Sequence, residues 1–206
     1  MRRSAGAGAT AVALLLAVTT ASAARKGPPV PFVDAEHGFQ LTLPDGWQPV
    51  EQDTGAAGAA GAPVFKAAND RTSQWLVVIS TKGPTDDADK GAGAAGGADG
   101  AAALSNFESG FAGAAGYKRI SLQRKDVAPG KPPAGAKVPA GKPRKTPAVD
   151  LWFTMQRDGK PVVVGARGLL FRSYVLTLVV DAPGTKVPAG TRRIVESFAP
   201  SPPVAD

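Results

Sequence analysis

Asp34-Ala35-Glu36-His37 gathers two carboxylates and the only histidine of the chain into four residues. Such a cluster could ligate a divalent metal or supply a general base. A transition-metal site wants further nitrogen or sulfur donors, and the 206 residues hold no second His and no Cys. His37 is therefore read as part of a solvated loop ahead of a strand. The missing Cys also excludes disulfides, iron–sulfur clusters, thiol nucleophiles and a lipid-bearing cysteine. A serine hydrolase would have His37 as its only base. No Ser stands in a G-x-S-x-G elbow, because Ser109 has Phe107 where the first Gly belongs, and no S-x-x-K pair occurs.

Two phosphate-binding patterns are imitated and fail on context. Gly91-Ala92-Gly93-Ala94-Ala95-Gly96 spells G-x-G-x-x-G, but Asp86, Asp87 and Asp89 precede it instead of a buried strand. Those carboxylates would repel a pyrophosphate. Gly135 to Lys142 approaches a P-loop with one residue too many, and Pro143 stands where a magnesium-binding Ser or Thr is needed. No catalytic residue, metal ligand or cofactor is assigned.

Charge is the strongest anomaly. The formal net charge is +7, yet residues 118–145 alone carry +8: Lys118, Arg119, Arg124, Lys125, Lys131, Lys137, Lys142, Arg144 and Lys145 against Asp126. A cationic arm of this kind can bind a polyanion through counterion release. No aromatics interleave with the cations to stack bases, so nucleic acid is not the expected partner. Of the three tryptophans, Trp75 sits in an apolar run and is assigned to the core, and Trp47 follows a turn and packs. Trp152 shares strand parity with Asp150 and Thr154, which makes it the candidate for an exposed aromatic contact.

Residues 1–23 have the grammar of a cleaved export signal. Arg2-Arg3 is basic, residues 11–18 are apolar and too short to span a bilayer, and Ala21-Ser22-Ala23 suits a signal peptidase. No transmembrane segment is expected after cleavage. Residues 24–29 read as a flexible N-terminus. Residues 30–198 read as one domain interrupted by Gly/Ala/Pro-rich loops at 54–63, 83–102 and 127–148, with a disordered tail at 199–206. The pieces between the loops are too short to fold alone, so the loops are insertions rather than linkers.

Within the domain, Phe39 to Leu43 alternates as a half-buried strand and Pro44-Asp45-Gly46 turns it. Short strands are expected at 63–67 and 74–79, the second covered on both faces because it is apolar on both parities. Leu104, Phe107 and Phe111 recur at helical spacing and predict a helix over 103–112. Residues 117–127, with four cations, suit a protected edge strand. Residues 149–155 and 161–164 flank Asp158-Gly159, a strong hairpin signal. An interior strand at 174–180 and a closing helix over 187–198 complete an α+β layered domain.

Two segments carry a family resemblance. Gly38-Phe39-Gln40-Leu41-Thr42-Leu43-Pro44-Asp45-Gly46-Trp47 resembles the opening of the PsbP-like and DcrB-like families, and Arg193-Ile194-Val195-Glu196-Ser197-Phe198 resembles their closing helix. The wider superfamily includes the Mog-type nuclear import factors. The resemblance implies a twisted antiparallel sheet of six or seven strands between helices, an α/β/α sandwich. It also implies an exported, periplasmic or secreted, non-enzymatic accessory or interaction role with an unknown protein partner. No ligand residue of the family carries over. A polyanion- or membrane-surface-binding role through 118–145, with an anionic envelope surface as partner, is the alternative. An uncharacterised hydrolase ranks third.

Overall fold

The Asp158-Gly159 pair sets the centre of the molecule. Both residues have left-handed φ, 53° and 72°, as a two-residue turn of the right twist demands. The turn joins the two longest strands, β7 (Thr146–Arg157) and β8 (Lys160–Leu170), in strict antiparallel register. That register sets Asp150 opposite Arg167 and Trp152 opposite Gly165.

In this computed structural model, residues 30–50, 62–82, 98–132, 143–171 and 174–202 are described. Before the hairpin come β1 (Val30–Asp34), β2 (Phe39–Leu43), β3 (Gln48–Pro49), β4 (Ala62–Asn69), β5 (Gln74–Lys82), α1 (Ala98–Ala112) and β6 (Lys118–Val127). After it come β9 (Tyr174–Pro183), α2 (Ala189–Ser197) and β10 (Ala199–Pro200). Seven strands form one antiparallel sheet in the order β3-β4-β5-β9-β8-β7-β6. A second, three-stranded sheet runs β1-β2-β10.

Strand alternation gives the large sheet two apolar faces. Leu76, Val78, Leu176, Leu178 and Val180 point to one, where α2 and the small sheet bury them with Phe39, Leu41, Ile194, Val195 and Phe198. Leu151, Phe153, Val164, Ala166 and Val179 point to the other, where Phe107 and Phe111 of α1 pack on them. Each fully buried Phe, Leu or Ile contributes about 1.5–3 kcal/mol through area removed from water. The two family-like motifs meet inside this core. The rings of Phe39 and Phe198 lie 5.5 Å apart. Ser197 Oγ accepts the Thr42 N–H at 2.9 Å and donates to the Ile194 carbonyl at 2.8 Å.

The architecture is the expected α+β, with the expected strand number in the main sheet. The small sheet is an addition: β1 and β10 were not anticipated, and Ala199–Pro200 forms a buried strand inside the stretch read as a tail. Helix α1 begins at Ala98, within the Gly/Ala-rich stretch 83–102, and α2 is shorter than the 187–198 expected. Strand β4 starts at Ala62, and β6 and β7 reach into 127–148 at Val127 and Thr146. The export segment 1–23, residues 24–29, most of the loop 54–63 and the loop residues 83–97 and 133–142 lie outside the described residues. Among the described residues no helix is long and apolar enough to cross a membrane.

Candidate functional site

The described part of the basic run lies on and beside the strand at one edge of the large sheet. Strand β6 ends the large sheet and pairs only with β7, so its outer backbone edge faces no other described strand. Its cations project to both faces. The register places Arg119 opposite Phe153 and Arg124 opposite Val149 on the α1 side. Lys118 opposite Thr154 and Lys125 opposite Ala148 lie on the α2 side. Two of these cations hold carboxylates: Arg119 Nη1 is 2.9 Å from Glu108, and Lys125 Nζ is 2.5 Å from Asp150. Lys118, Arg124, Lys131, Arg144 and Lys145 are exposed and form no ion pair with a described residue. Lys137 and Lys142 lie outside the described residues.

The root of the cationic arm is attached to the small sheet. Gly130 donates its N–H to the Pro200 carbonyl at 2.9 Å. The Gln40 side-chain amide bridges the backbone N–H and carbonyl of Lys131, at 3.2 and 3.3 Å. A Cβ on Gly130 would fall 1.3 Å from that amide, so glycine is what admits Gln40 to the backbone.

Beneath β6 lies an ion pair that the sequence reading did not assign. Arg167 is 1% exposed; its Nε and Nη2 donate to the two Asp150 oxygens at 2.6 and 2.9 Å. Its Nη1 donates to the carbonyls of Glu196 and Phe198, both at 3.0 Å. These carbonyls are at the end of α2, where a cation also meets the negative end of the helix dipole. A two-residue turn at Asp158-Gly159 already dictates that Asp150 faces Arg167, so this partnership could have been found from the sequence by counting back from the turn.

The same register corrects the aromatic assignments. Trp152 is 8% exposed and is not a surface contact. Its ring lies over Gly165, where a Cβ would come within 2.4 Å, and the Arg192 guanidinium stands over the ring at 5.7 Å. Trp75, assigned to the core, is 40% exposed and carries the Arg157 guanidinium over its ring at 5.5 Å. Strand β5 is fully buried only at Leu76 and Val78; on its other face Val77 is partly buried against the second core while Trp75 is exposed, so the expected cover of that face is incomplete. Beside Trp75, Asp181 is buried, accepts the Trp75 N–H at 3.0 Å and pairs with Arg157. Burial raises its pKa above the ordinary value, against the opposing pull of the Trp75 N–H and Arg157.

Between β6, β7 and α2 opens a small polar cavity of about 150 Å³. Ser121, Gln123 and Lys125 line it from β6, Asp150 and Trp152 from β7, and Arg192 from α2. His37 lies elsewhere. Its N–H donates to Asp34 Oδ1 and its ring Nδ1 sits 2.9 Å from Asp34 Oδ2, closing the β1–β2 turn. Among the described residues no three His, Cys, Asp or Glu converge as a metal site would need.

No protein-family model matches the chain, and no curated protein matches it in sequence. Solved structures do resemble it. One is LpqN, involved in cell envelope biogenesis of Mycobacterium tuberculosis: 15% identical, with 86% of this chain and 87% of that one covered and a TM-score of 0.45. Another is the Saccharomyces cerevisiae Ran-binding protein Mog1p: 8% identical, with 83% and 94% covered and a TM-score of 0.47. Likenesses this distant carry no argument about function.

Proposed function

We propose that the chain is an exported, non-enzymatic accessory domain that acts by binding another protein. The observation that carries this reading is the basic flank. Five exposed cations without an ion partner among the described residues border a ten-residue edge strand whose outer backbone groups face no described strand. An extended acidic segment can satisfy both at once, by strand addition and by charge. The buried ionisable groups, Asp150, Arg167 and Asp181, are tied into the fold rather than gathered around a reactive centre.

A photo-crosslinker placed at Arg124 of the mature protein in its native envelope tests this. The expected result is one reproducible protein adduct, absent when the crosslinker sits at the Asp158 turn and lost when Lys118 and Lys145 are changed to Glu. No adduct at Arg124, or equal adducts at both positions, overturns it.

A second reading is favoured by the spread of the cations over both sides of β6 and both described ends of the arm: a polyanion or anionic membrane surface is the partner. Binding to anionic vesicles would then fall steeply with added salt. Lack of binding at low salt, or binding unchanged in a Lys131, Arg144 and Lys145 triple Gln variant, removes this alternative.

A further inference from the structure

We infer that the cavity between β6 and α2 is a binding site for a single phosphate group. The inference does not depend on a protein partner.

The charge balance inside the cavity is the first reason. Asp150 is already held by both prongs of the buried Arg167. Lys125 adds a second cation to the same carboxylate, at 2.5 Å. The trio Arg167, Asp150 and Lys125 therefore presents one surplus positive charge. Arg192 adds another, held over Trp152 by its ring and paired to no carboxylate among the described residues. Glu196, exposed at the rim, offsets one; the lining itself is neutral, and Arg167, buried behind Asp150, brings the site to net +1.

The second reason is donor geometry. Lys125 and Arg192 reach the cavity from opposite walls, the β6 edge and α2. The Ser121 hydroxyl and the Gln123 amide stand on the same strand as Lys125, one residue apart from each other in the alternation and on its side of the sheet. Neither side chain hydrogen-bonds a described residue. A planar carboxylate cannot use donors arriving from so many directions, whereas a tetrahedral oxyanion can. The guanidinium is also preset by its stack on Trp152, and Trp152 is seated by Gly165, so less order has to be imposed on binding.

The third reason is size. About 150 Å³ is well below the roughly 300 Å³ at which pockets begin to enclose a drug-sized ligand. The cavity accommodates a group, and the remainder of any larger ligand stays outside it. Free phosphate, a soluble phosphomonoester and a lipid phosphomonoester headgroup all present that group.

Nitrogen-labelled mature protein titrated with inorganic phosphate, with glycerol phosphate and with vesicles containing phosphatidic acid tests the assignment. Saturable shifts are expected at the indole N–H of Trp152, identified by its loss in Trp152→Phe, and at the Arg192 Nε–H. Arg192→Gln is expected to weaken phosphate binding about tenfold, while the triple Gln variant at Lys131, Arg144 and Lys145 leaves it unchanged. Arg192 is exposed, so its substitution should leave the amide spectrum folded, and Ser121→Ala serves as a second, smaller lesion. Response to both soluble ligands but not vesicles assigns a soluble phosphate source; response to all three assigns a headgroup. No saturable shift with any ligand, or shifts that survive Arg192→Gln and vanish in the arm variant, overturns the site.

Discussion

Arg167 grips Asp150 with two prongs, Nε to Oδ1 at 2.6 Å and Nη2 to Oδ2 at 2.9 Å, across the β7–β8 pair. Both residues are buried, and the third nitrogen of Arg167 is spent on the last carbonyls of α2. The pair thus ties the central hairpin to the closing helix and carries the floor of the phosphate cavity.

Breaking such a pair leaves an unpaired charge in the interior, at a cost of about 3–5 kcal/mol. Arg167→Met is expected to lower the unfolding free energy in urea by that amount, and by more than Asp150→Asn, because it also strips donors from Glu196 and Phe198. The double variant Asp150→Leu with Arg167→Met should recover most of the loss, since a well-packed apolar pair can replace a buried ion pair. Strictly additive losses in the double-mutant cycle would contradict the pairing.

Most of the fold was legible from alternation and turn chemistry. Phe39, Leu41 and Leu43 marked β2, and Asp158-Gly159 marked the central hairpin and with it the register of β7 on β8. What misled was parity without register. Asp150 looked like the mark of a wet face, and Trp152 was placed there with it. Arg167 neutralises Asp150 and Gly165 makes room for the Trp152 ring, so that face is interior. The cavity was not legible, because Arg192 reaches it from a helix whose docking on β2, β8 and β9 no local pattern encodes. Strand β10 escaped because its partner is far along the chain: Ala199 pairs with Gln40.

Gly165 is predicted to be intolerant of a side chain. Its Cβ would lie 2.4 Å from the Trp152 ring, which is packed and cannot swing aside as a flexible chain end would. Gly165→Ala should cost about 1–3 kcal/mol, the usual range for overpacking. Adding Trp152→Leu should recover part of that loss by vacating the ring's space. Thermal unfolding of the two single variants and the double variant measures this, and a neutral Gly165→Ala would disprove the contact.

Asp181 gives stability a pH dependence of defined sign. Burial raises its folded pKa above the unfolded value of 3.8, so between those two values the folded state binds more protons than the unfolded one. Its contribution is greatest at the acid end and is lost as pH rises through the folded pKa. Asp181→Asn keeps an acceptor for the Trp75 N–H and removes the titration. Relative to that variant, the wild type should gain stability on acidification from neutral pH toward 3.8. Urea unfolding of both proteins across that range gives the difference directly; a flat difference, or one of opposite slope, would show that burial does not dominate.

Tyr117 provides the alkaline counterpart. Its hydroxyl donates to Glu108 Oε1 at 2.6 Å, and its ring packs on Phe153 at 5.1 Å. Burial, then the hydrogen bond to Glu108 and the charge of that carboxylate, push its pKa from 10.0 to about 12. The folded state therefore keeps this proton after the unfolded state has lost it, and stability falls as pH rises above 10.0 toward about 12. Phenolate absorbance should show Tyr117 ionising near the upper value, assigned by its loss in Tyr117→Phe. Glu108→Gln removes the charge but not the burial, so it should lower the midpoint while leaving it above 10.0. A midpoint unchanged in Glu108→Gln would mean that the carboxylate does not act on the phenol, and the docking of α1 on the start of β6 would need another cause.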